Sequence, residues 1–294
     1  MRKIILHCFQ WKIKDIIENL NIIKDQNFNV IQISPINEIK EGTEWWNYYQ
    51  PLSFTIGNKS GTKEDLIDLC SEANKIGIKI IVDVVLRHCA TDDGQLIPSE
   101  TVDEKLKNNP NFWTNSENII DYNDRKQVIS CACGMPMLDY NNEELQDIYI
   151  KFLQELKDSG ISGFRVDQGK HFSLPSEGSN FWERVFDGFS DMFNYAECLE
   201  SSKELLDQYT PFINVLTDGT ASDRSKMVIY IMSHDTELTF GYTKHMDDNM
   251  IIKEWDYLLK NYKESHVLFY TRELSDLWKS AEIKRINFEG GNLT

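Results

Sequence analysis

The sequence predicts an α/β protein with a (β/α)8 TIM-barrel fold, and two observations lead to this prediction. Short β-rich stretches alternate with longer amphipathic stretches along the chain, an alternation typical of parallel strands in βαβ units. Eight strand candidates occur in this rhythm, which is the number that closes such a barrel. A doubly wound open sheet is the alternative, and no internal repeat is obvious.

The strand candidates are short apolar runs. The third of them, IKIIVDVVL, is almost continuously apolar, which is typical of a strand covered on both faces. The predicted strands are 3–9, 28–34, 78–86, 161–167, 192–197, 212–218, 227–235 and 266–271.

The helix candidates have Ile, Leu and other apolar residues at helical spacing. Two of them end at a glycine, a common helix C-terminal signal. The predicted helices are 12–26, 63–77, 143–160 and 250–264, and two further helical stretches, 181–191 and 201–209, continue the alternation.

Residues 89–137 interrupt this rhythm. They contain clusters of Asp, Asn, Pro and Gly without strong periodicity, and they are too many for an ordinary connection between a strand and a helix. We therefore expect an irregular subdomain inserted after the third strand, with 1–88 and 138–294 forming the barrel. The chain stops shortly after the eighth predicted strand.

Composition and charge restrict the partners. A net charge of −16 argues against nucleic acid and against anionic membrane surfaces, and favours a neutral or positively charged ligand. No apolar run reaches the roughly 18 residues of a membrane span, and the N-terminal stretch does not resemble a signal peptide. The six cysteines are scattered, and Cys131 and Cys133 lack a second pair at zinc spacing. A reduced, cytoplasmic protein is expected, with no metal ligands.

Four predicted strands place a carboxylate near their C-terminal end: Asp83, Asp167, Glu197 and Asp235. In a barrel these ends converge on the face that carries the chemistry. Each acid alone could simply cap the helix that follows it. That explanation does not cover the basic residues that accompany them, which are His88, Arg165, Lys170, His171 and His234.

Clustered carboxylates beside an arginine suit glycoside hydrolysis, in which one carboxylate is ionised and another keeps its proton. Arg165 lies two residues before Asp167 on one strand, so both side chains point to the same face. We expect Arg165 to hold Asp167 ionised. We expect like charges and partial burial to keep Glu197 protonated.

Five short motifs give the sequence a strong resemblance to the α-amylase family of glycoside hydrolases. They occur in that family's order: DVVLRH (83–88), LDYNNEEL (138–145), GFRVDQGKH (163–171), YAECLE (195–200) and SHD (233–235). WWNYYQPLSF (45–54) and VIQISPINE (30–38) further resemble animal-type and related bacterial members. The similarity runs from residue 4 to about 271.

The resemblance implies a role for each matching residue. Asp167 is the implied nucleophile, Glu197 the acid/base, and Asp235 a third carboxylate that grips sugar hydroxyls. Arg165 would orient Asp167, and His171 would belong to the loop that binds substrate. At the cleavage position, the implied sugar contacts are His88 and His234, with Tyr49 stacking on the sugar and Gln50 nearby. Trp45 and Trp46 would line further subsites. Lys170 would contact the sugar on the leaving-group side. For the aromatic residues, ordinary core packing is the alternative.

The expected activity is retaining hydrolysis of α-1,4-glucosidic bonds in maltooligosaccharides or starch-like α-glucans, through a covalent glycosyl-enzyme. A transglycosylase or a hydrolase of short α-glucosides would share every catalytic residue. A non-catalytic sugar-binding relative is a third possibility, against which the three intact acids speak.

Three departures from the family pattern affect cofactors and assembly. Arg87 replaces the usual Asn ligand of a structural calcium ion, so no cofactor is expected. Instead we expect Arg87 to occupy that site and pair with Asp139, beside the matching carbonyl of His171. Ser233 replaces an Asn that helps bind chloride in some relatives, while Arg165 remains and Arg272 matches a further ligand, which leaves chloride open. The family's usual C-terminal β-sandwich domain is not expected, because the chain stops shortly after the eighth predicted strand. The barrel side that such a domain covers is then either polar or buried in a homo-oligomer, and we expect the homo-oligomer.

Overall fold

The computed structural model describes residues 1–92, 94–272 and 275–291. Its strands are β1 (Ile4–Cys8), β2 (Val30–Ile33), β3 (Asn37–Ile39), β4 (Pro51–Ile56), β5 (Lys79–Val84), β6 (Gly163–Val166), β7 (Tyr195–Glu197), β8 (Asn214–Leu216), β9 (Met227–Tyr230) and β10 (His266–Tyr270). Eight of these strands form a closed parallel barrel in the order β1-β10-β9-β8-β7-β6-β5-β2. The predicted (β/α)8 fold is confirmed, and the open sheet is wrong.

The helices that surround the barrel follow the predicted alternation. They are α1 (Ile13–Asp25), α2 (Lys63–Lys75), α3 (Glu104–Lys107), α4 (Arg125–Ser130), α5 (Glu143–Asp158), α6 (Phe181–Phe186), α7 (Lys203–Tyr209), α8 (Asp248–Asn261) and α9 (Ala281–Gly291). No helix in the described part of the chain is long and apolar enough to cross a membrane.

Helix α5 shows how the sequence specifies such an element. The Asn142 side chain accepts the Leu145 N–H and caps the first turn, where acidic residues favour the helix dipole. Apolar residues at helical spacing face the barrel, and the Tyr149 hydroxyl donates to the Leu86 carbonyl 2.7 Å away. The helix ends at Asp158, and Gly160 follows with a φ of +100°, which suits glycine, while a Cβ there would lie 2.7 Å from the Cys70 Cβ. This turn starts the approach to β6.

The barrel strands are shorter than the predicted runs at their C-terminal ends. The third predicted strand leaves the sheet after Val84 and the seventh after Tyr230. Beyond these points the apolar side chains remain buried but the backbone bends into the loops. Asp83 and Glu197 therefore lie on their strands and Asp167 directly after β6, whereas Asp235 lies in the loop after β9.

Residues 89–137 contain α3, α4 and isolated β-bridges, with no extended strand among the residues described there. Their buried side chains include Val102, Leu106, Phe112 and Val128. The bridges His88–Met137 and Trp113–Leu138 tie the interval to the barrel. The exact limits of this subdomain stay a sequence-based prediction.

Two features were not predicted. Strands β3 and β4 form a separate antiparallel pair, connected by a 3-10 helix at Trp45–Tyr49 that carries an aromatic cluster. Helix α9 follows β10, and the Trp255 indole N–H on α8 donates to Asn287 on α9 at 2.8 Å. The β3–β4 pair and helix α9 are too short or too polar to show a clear periodic pattern in the sequence.

Candidate active site

The guanidinium of Arg165 joins the carboxylates of three adjacent strands. Its Nη1 donates to Asp83 Oδ1 on β5 at 2.8 Å and to Asp167 Oδ1, just after β6, at 2.7 Å. Its Nη2 donates to Glu197 Oε1 on β7. Because Asp83 pairs with Arg165 in register across β5 and β6, the barrel itself brings these side chains together. Arg165 is only 1% exposed and lies beneath the acids.

A second donor also reaches Glu197. The backbone N–H of Gln168 donates to Glu197 Oε2 at 3.1 Å, and Gln168 adopts a left-handed conformation with φ 51°. The next residue, Gly169, makes this approach feasible, because a Cβ there would lie 2.5 Å from the Ala196 Cβ. The glycine therefore lets the loop after β6 lie directly against β7.

Asp235 reaches the same site from the loop after β9. It starts a π-helical segment, Asp235–Thr239, and its Oδ1 accepts the Thr239 hydroxyl at 3.2 Å. Its Oδ2 lies 3.3 Å from the Nε2 of His234. A π-helical turn is rare and often marks a functional site.

Burial changes the proton equilibria of the acids. The pKa of Asp167 is raised well above its usual value by burial, Arg165 opposes the shift, and Glu197, Asp83 and Asp235 add to it. Burial likewise raises the pKa of Asp83 to about 6 and raises that of Asp235. Arg165 donates to Asp167 and lowers its pKa, as expected, but burial and three neighbouring carboxylates act in the opposite direction. Acids that interact this closely titrate as a coupled group rather than independently.

Glu197 has more partners than the sequence indicated. It lies among like charges, as expected, and it also accepts hydrogen bonds from Arg165 and from the Gln168 N–H. The arginine is thus shared among three acids rather than reserved for Asp167. Sequence spacing could not show this, because the contact joins different strands.

Aromatic and imidazole rings lie beside the acids. Tyr49 stacks on His234 with ring centroids 5.0 Å apart, and its hydroxyl donates to Asp83 Oδ2 at 2.9 Å. The Nε2 of His88 lies 2.8 Å from the Tyr49 carbonyl, which can only accept a hydrogen bond. Burial lowers the pKa of His88 to about 4 and that of His234 to about 3, so both rings are neutral at neutral pH.

A cavity of about 560 Å³ opens above these groups. The predicted site residues that line it are Trp45, Trp46, Tyr49, His88, Asp167, Lys170, His171, Glu197, His234 and Asp235. Two others do not: Arg165 lies below the acids, and Gln50 is buried outside the lining. The cavity suits a ligand with apolar ring faces and polar edges.

Several lining residues were not singled out from the sequence. They are Tyr122, Cys133, Met135, Gln168, Leu199, Glu200, Asp218, Tyr230, Thr236, Thr239, Phe240 and Tyr242. Asp218 follows β8, so the strand-end reasoning that found the other acids could have found it. Tyr122, Cys133 and Met135 come from the 89–137 interval, where no pattern predicts which side chains reach the cavity.

Lys170 and His171 fix the loop between two neighbouring segments. The Lys170 ammonium donates to the Leu199 carbonyl, just after β7, at 2.8 Å. The Nδ1 of His171 lies 2.9 Å from the Val128 carbonyl in α4. Burial lowers the pKa of His171 to about 3, which leaves this ring neutral. The loop therefore connects the barrel to the 89–137 interval.

Arg87 does not form the predicted ion pair with Asp139. Its guanidinium donates to the carbonyls of His171, Val128 and Cys131, the last at 2.7 Å. Two of these carbonyls lie at the C-terminal end of α4, where unpaired acceptors and the helix dipole attract a cation. Asp139 instead accepts the Asn141 N–H at 3.2 Å, before α5.

The residues around Arg87 do not fit a calcium ion. The His171 carbonyl, which the resemblance assigns to calcium, is already taken by the Arg87 guanidinium. Across the residues that the structure describes, no group of three or more His, Cys, Asp or Glu side chains is placed to hold a metal. Arg272, matched from sequence to a chloride ligand, lies with its Nε 2.6 Å from Glu237 Oε1.

Comparisons with known proteins agree with this geometry. The family model described as the α-amylase catalytic domain matches residues 12–281. An α-amylase of Clostridium acetobutylicum is 32% identical over 238 residues, covering 76% of this chain and 31% of that protein. An α-amylase of Hypothenemus hampei is 31% identical over 283 residues, covering 82% of this chain and 58% of that protein. The chain thus spans about a third to three fifths of these two relatives.

Solved structures share the fold. The wild-type α-amylase I of Eisenia fetida superposes with a TM-score of 0.75 at 22% identity, covering 92% of this chain and 66% of that chain. The α-amylase of Geobacillus thermoleovorans, solved with acarbose, gives a TM-score of 0.77 at 17% identity, covering 99% and 79%. At these identities the likeness shows the barrel fold alone.

Proposed function

The chain belongs to the α-amylase family of glycoside hydrolases, and from this premise we propose that it cleaves α-1,4-glucosidic bonds in maltooligosaccharides or starch-like α-glucans with retention of configuration. One observation carries the proposal: Arg165 gathers Asp83, Asp167 and Glu197 beneath a cavity that Asp235 also lines. Retaining glycosidases need two carboxyl groups on either side of the scissile bond, and this cluster supplies them.

The first half of the reaction forms a covalent intermediate. Asp167 attacks the anomeric carbon, while Glu197 donates a proton to the glycosidic oxygen and the leaving glucan departs with that proton. The reaction needs one ionised and one protonated carboxyl group, and burial raises the pKa values of Asp167, Asp83 and Asp235 in this cluster. Arg165 contacts both reacting acids, so it stabilises whichever of them carries the charge.

The second half releases the sugar. Glu197, now a carboxylate, takes a proton from water as the water attacks the anomeric carbon, and the bond to Asp167 breaks. The neutral His88 ring donates its one N–H to the Tyr49 carbonyl, so it can offer a sugar hydroxyl only its other ring nitrogen, as an acceptor. The neutral His234 ring can donate or accept one hydrogen bond at the sugar. Asp235 accepts hydrogen bonds from hydroxyls at the same position, and Tyr49 supplies an aromatic face.

We further propose that Arg87 fulfils the structural role of a metal ion in this chain. Its guanidinium is fixed among carbonyls of α4 and of the loop after β6, so it links the 89–137 interval to the barrel without calcium. It makes no contact with substrate and takes no part in the reaction steps.

Incubation with soluble starch and a series of maltooligosaccharides tests the function, with new reducing ends as the readout. We expect product from the wild type and almost none from Asp167→Asn, which keeps the shape of the side chain. Asp191→Asn changes an exposed surface acid and serves as the matched control, with unchanged activity. Absence of product from the wild type on every α-glucan would refute the proposal.

A further inference from the structure

We propose that Phe240 and Tyr242 form a separate sugar-binding platform that holds a glucose ring of an α-glucan chain away from the bond being cleaved. The proposal deepens the proposed function and rests on it for the identity of the sugar. It assigns a role to two residues that the catalytic cluster does not use.

The two aromatic rings stack on each other and are open to solvent. Their centroids are 5.3 Å apart with planes inclined by 17°, and both rings line the cavity that contains the acids. Phe240 is 50% exposed and Tyr242 62% exposed. A stacked aromatic pair exposed at a cavity edge presents the outer face of a ring as a flat apolar surface, and the apolar face of a sugar ring is complementary to it.

The backbone explains why the two rings are adjacent. Gly241 between them has φ +70°, and no atom lies within 4 Å of the position that a Cβ would take. The Phe240 N–H donates to the Asp235 carbonyl at 2.8 Å, closing the π-helical turn. One turn of backbone therefore connects the rings to an acid of the reaction site, which fixes the platform relative to that site.

Arg272, which follows β10, anchors the segment from the opposite side. Its Nε lies 2.6 Å from Glu237 Oε1, and its Nη2 donates to the Thr243 carbonyl at 2.8 Å. Its Nη1 donates to the Met246 carbonyl. These contacts hold the segment on both sides of Phe240 and Tyr242, so the rings are presented on a supported loop.

The surroundings favour a carbohydrate over other occupants. Trp46 is another exposed aromatic residue of the same cavity, packed edge-on against Trp45 at 5.8 Å. The cavity also contains five carboxylates, Asp167, Glu197, Glu200, Asp218 and Asp235, which are acceptors for sugar hydroxyls. A net charge of −16 opposes binding of these rings to an anionic membrane. Because the platform is continuous with the reaction site, a chain bound there can extend into it.

The test compares a long and a short substrate in the intact chain. The double variant Phe240→Ala/Tyr242→Ala should lower the ratio of kcat/KM on maltoheptaose to kcat/KM on maltotriose by about tenfold, since aromatic contacts of this kind contribute that order of affinity. Tyr257→Ala/Phe288→Ala removes two rings of similar exposure on α8 and α9, outside the cavity, and should leave the ratio unchanged.

Binding measured by calorimetry separates this proposal from the proposed function. In the Asp167→Asn background, the same double variant should bind maltoheptaose about tenfold more weakly, whether or not the wild type hydrolyses it. An unchanged ratio with unchanged binding would overturn the platform. So would equal losses on both substrates, or a dimer by light scattering that the double variant dissociates without any change in sugar binding.

Discussion

The Nη1 of Arg165, on β6, lies 2.7 Å from the carboxylate of Asp167, which directly follows that strand. Both side chains are buried. The same guanidinium contacts Asp83 and Glu197, so it is the common partner of the acids from three strands. The pKa of Arg165 is raised well above its usual value, because these carboxylates outweigh the effect of burial. The arginine therefore stays charged throughout the reaction.

Replacement of this shared cation should disable the site. Arg165→Lys keeps the charge but loses the planar fork that reaches three carboxylates, and we expect kcat to fall about 100-fold or more. Free energy of unfolding from urea titrations should drop by roughly 1–3 kcal/mol, because a buried acceptor is left without its donor. Arg285→Lys, in an exposed helical ion pair with Glu289, is the control with no measurable change. Wild-type kcat in Arg165→Lys would contradict the shared role.

Gly169 should be required for the position of Glu197. Gly169→Ala places a Cβ 2.5 Å from the Ala196 Cβ and 2.8 Å from the Glu197 nitrogen, so the loop must move away from β7. We expect kcat to fall about tenfold or more and stability to fall by about 1–3 kcal/mol. Gly188→Ala adds the same methyl group where nothing lies within 4 Å, and should change neither quantity. Equal activity of both variants would show that the close approach is unimportant.

The buried histidines should make stability sensitive to acid. Burial lowers the pKa of His88 from 6.5 to about 4, so between these values the unfolded chain binds a proton that the native chain does not. This contribution to stability is fully present above about pH 6.5 and is lost as the pH falls toward 4, by about 1.4 kcal/mol per pH unit. The raised pKa of Asp83 acts in the opposite direction, since it favours the native state at low pH.

A variant isolates the histidine contribution. Free energies of unfolding of the wild type and of His88→Gln, measured at several pH values between about 4 and 7, should differ in slope. Between those pH values the free energy of unfolding of the variant should fall less steeply than that of the wild type, because unfolding of the variant takes up one proton fewer. This difference in slope does not depend on the stability of the variant at neutral pH. Parallel curves would show that His88 titrates normally in the native chain.

Arg87 should be essential for stability, whereas a chelator should have no effect. Arg87→Ala leaves the carbonyls of His171, Val128 and Cys131 without their buried donor, and we expect a loss of about 3 kcal/mol or more. EDTA should change neither Tm nor activity. A large fall in Tm on chelation, restored by added calcium, would contradict the proposal.

The sequence predicted those parts of the molecule that follow from periodicity and chain order. The barrel could be predicted because each strand is a distinct apolar run, and the positions of Asp83 and Asp167 at the ends of β5 and β6 follow from parallel packing. Asp218 also follows a strand, β8, so the same reasoning applies to it, although it was not among the site residues predicted from the sequence. These predictions needed only the direction of each strand and the face on which its residues lie.

Pairing between distant side chains could not be predicted. Arg87 was assigned to Asp139, but the carbonyls at the end of α4 lie closer, and that helix has no clear signal in a stretch of irregular sequence. Glu197 contacts Arg165 because of the register between β6 and β7, and this register cannot be read from the sequence. The location of Phe240 and Tyr242 depends on a π-helical turn and a glycine, and neither gives a periodic pattern. The predicted homo-oligomer and the chloride question are untested.

The anomeric configuration of the first product tests the central claim most directly. Proton NMR during the first minutes of maltoheptaose cleavage distinguishes the α-anomer from the β-anomer before they interconvert. Double displacement through Asp167 predicts that the α-anomer appears first, and that Asp167→Asn gives almost no product at all. Initial appearance of the β-anomer, or full activity in Asp167→Asn, would contradict the account.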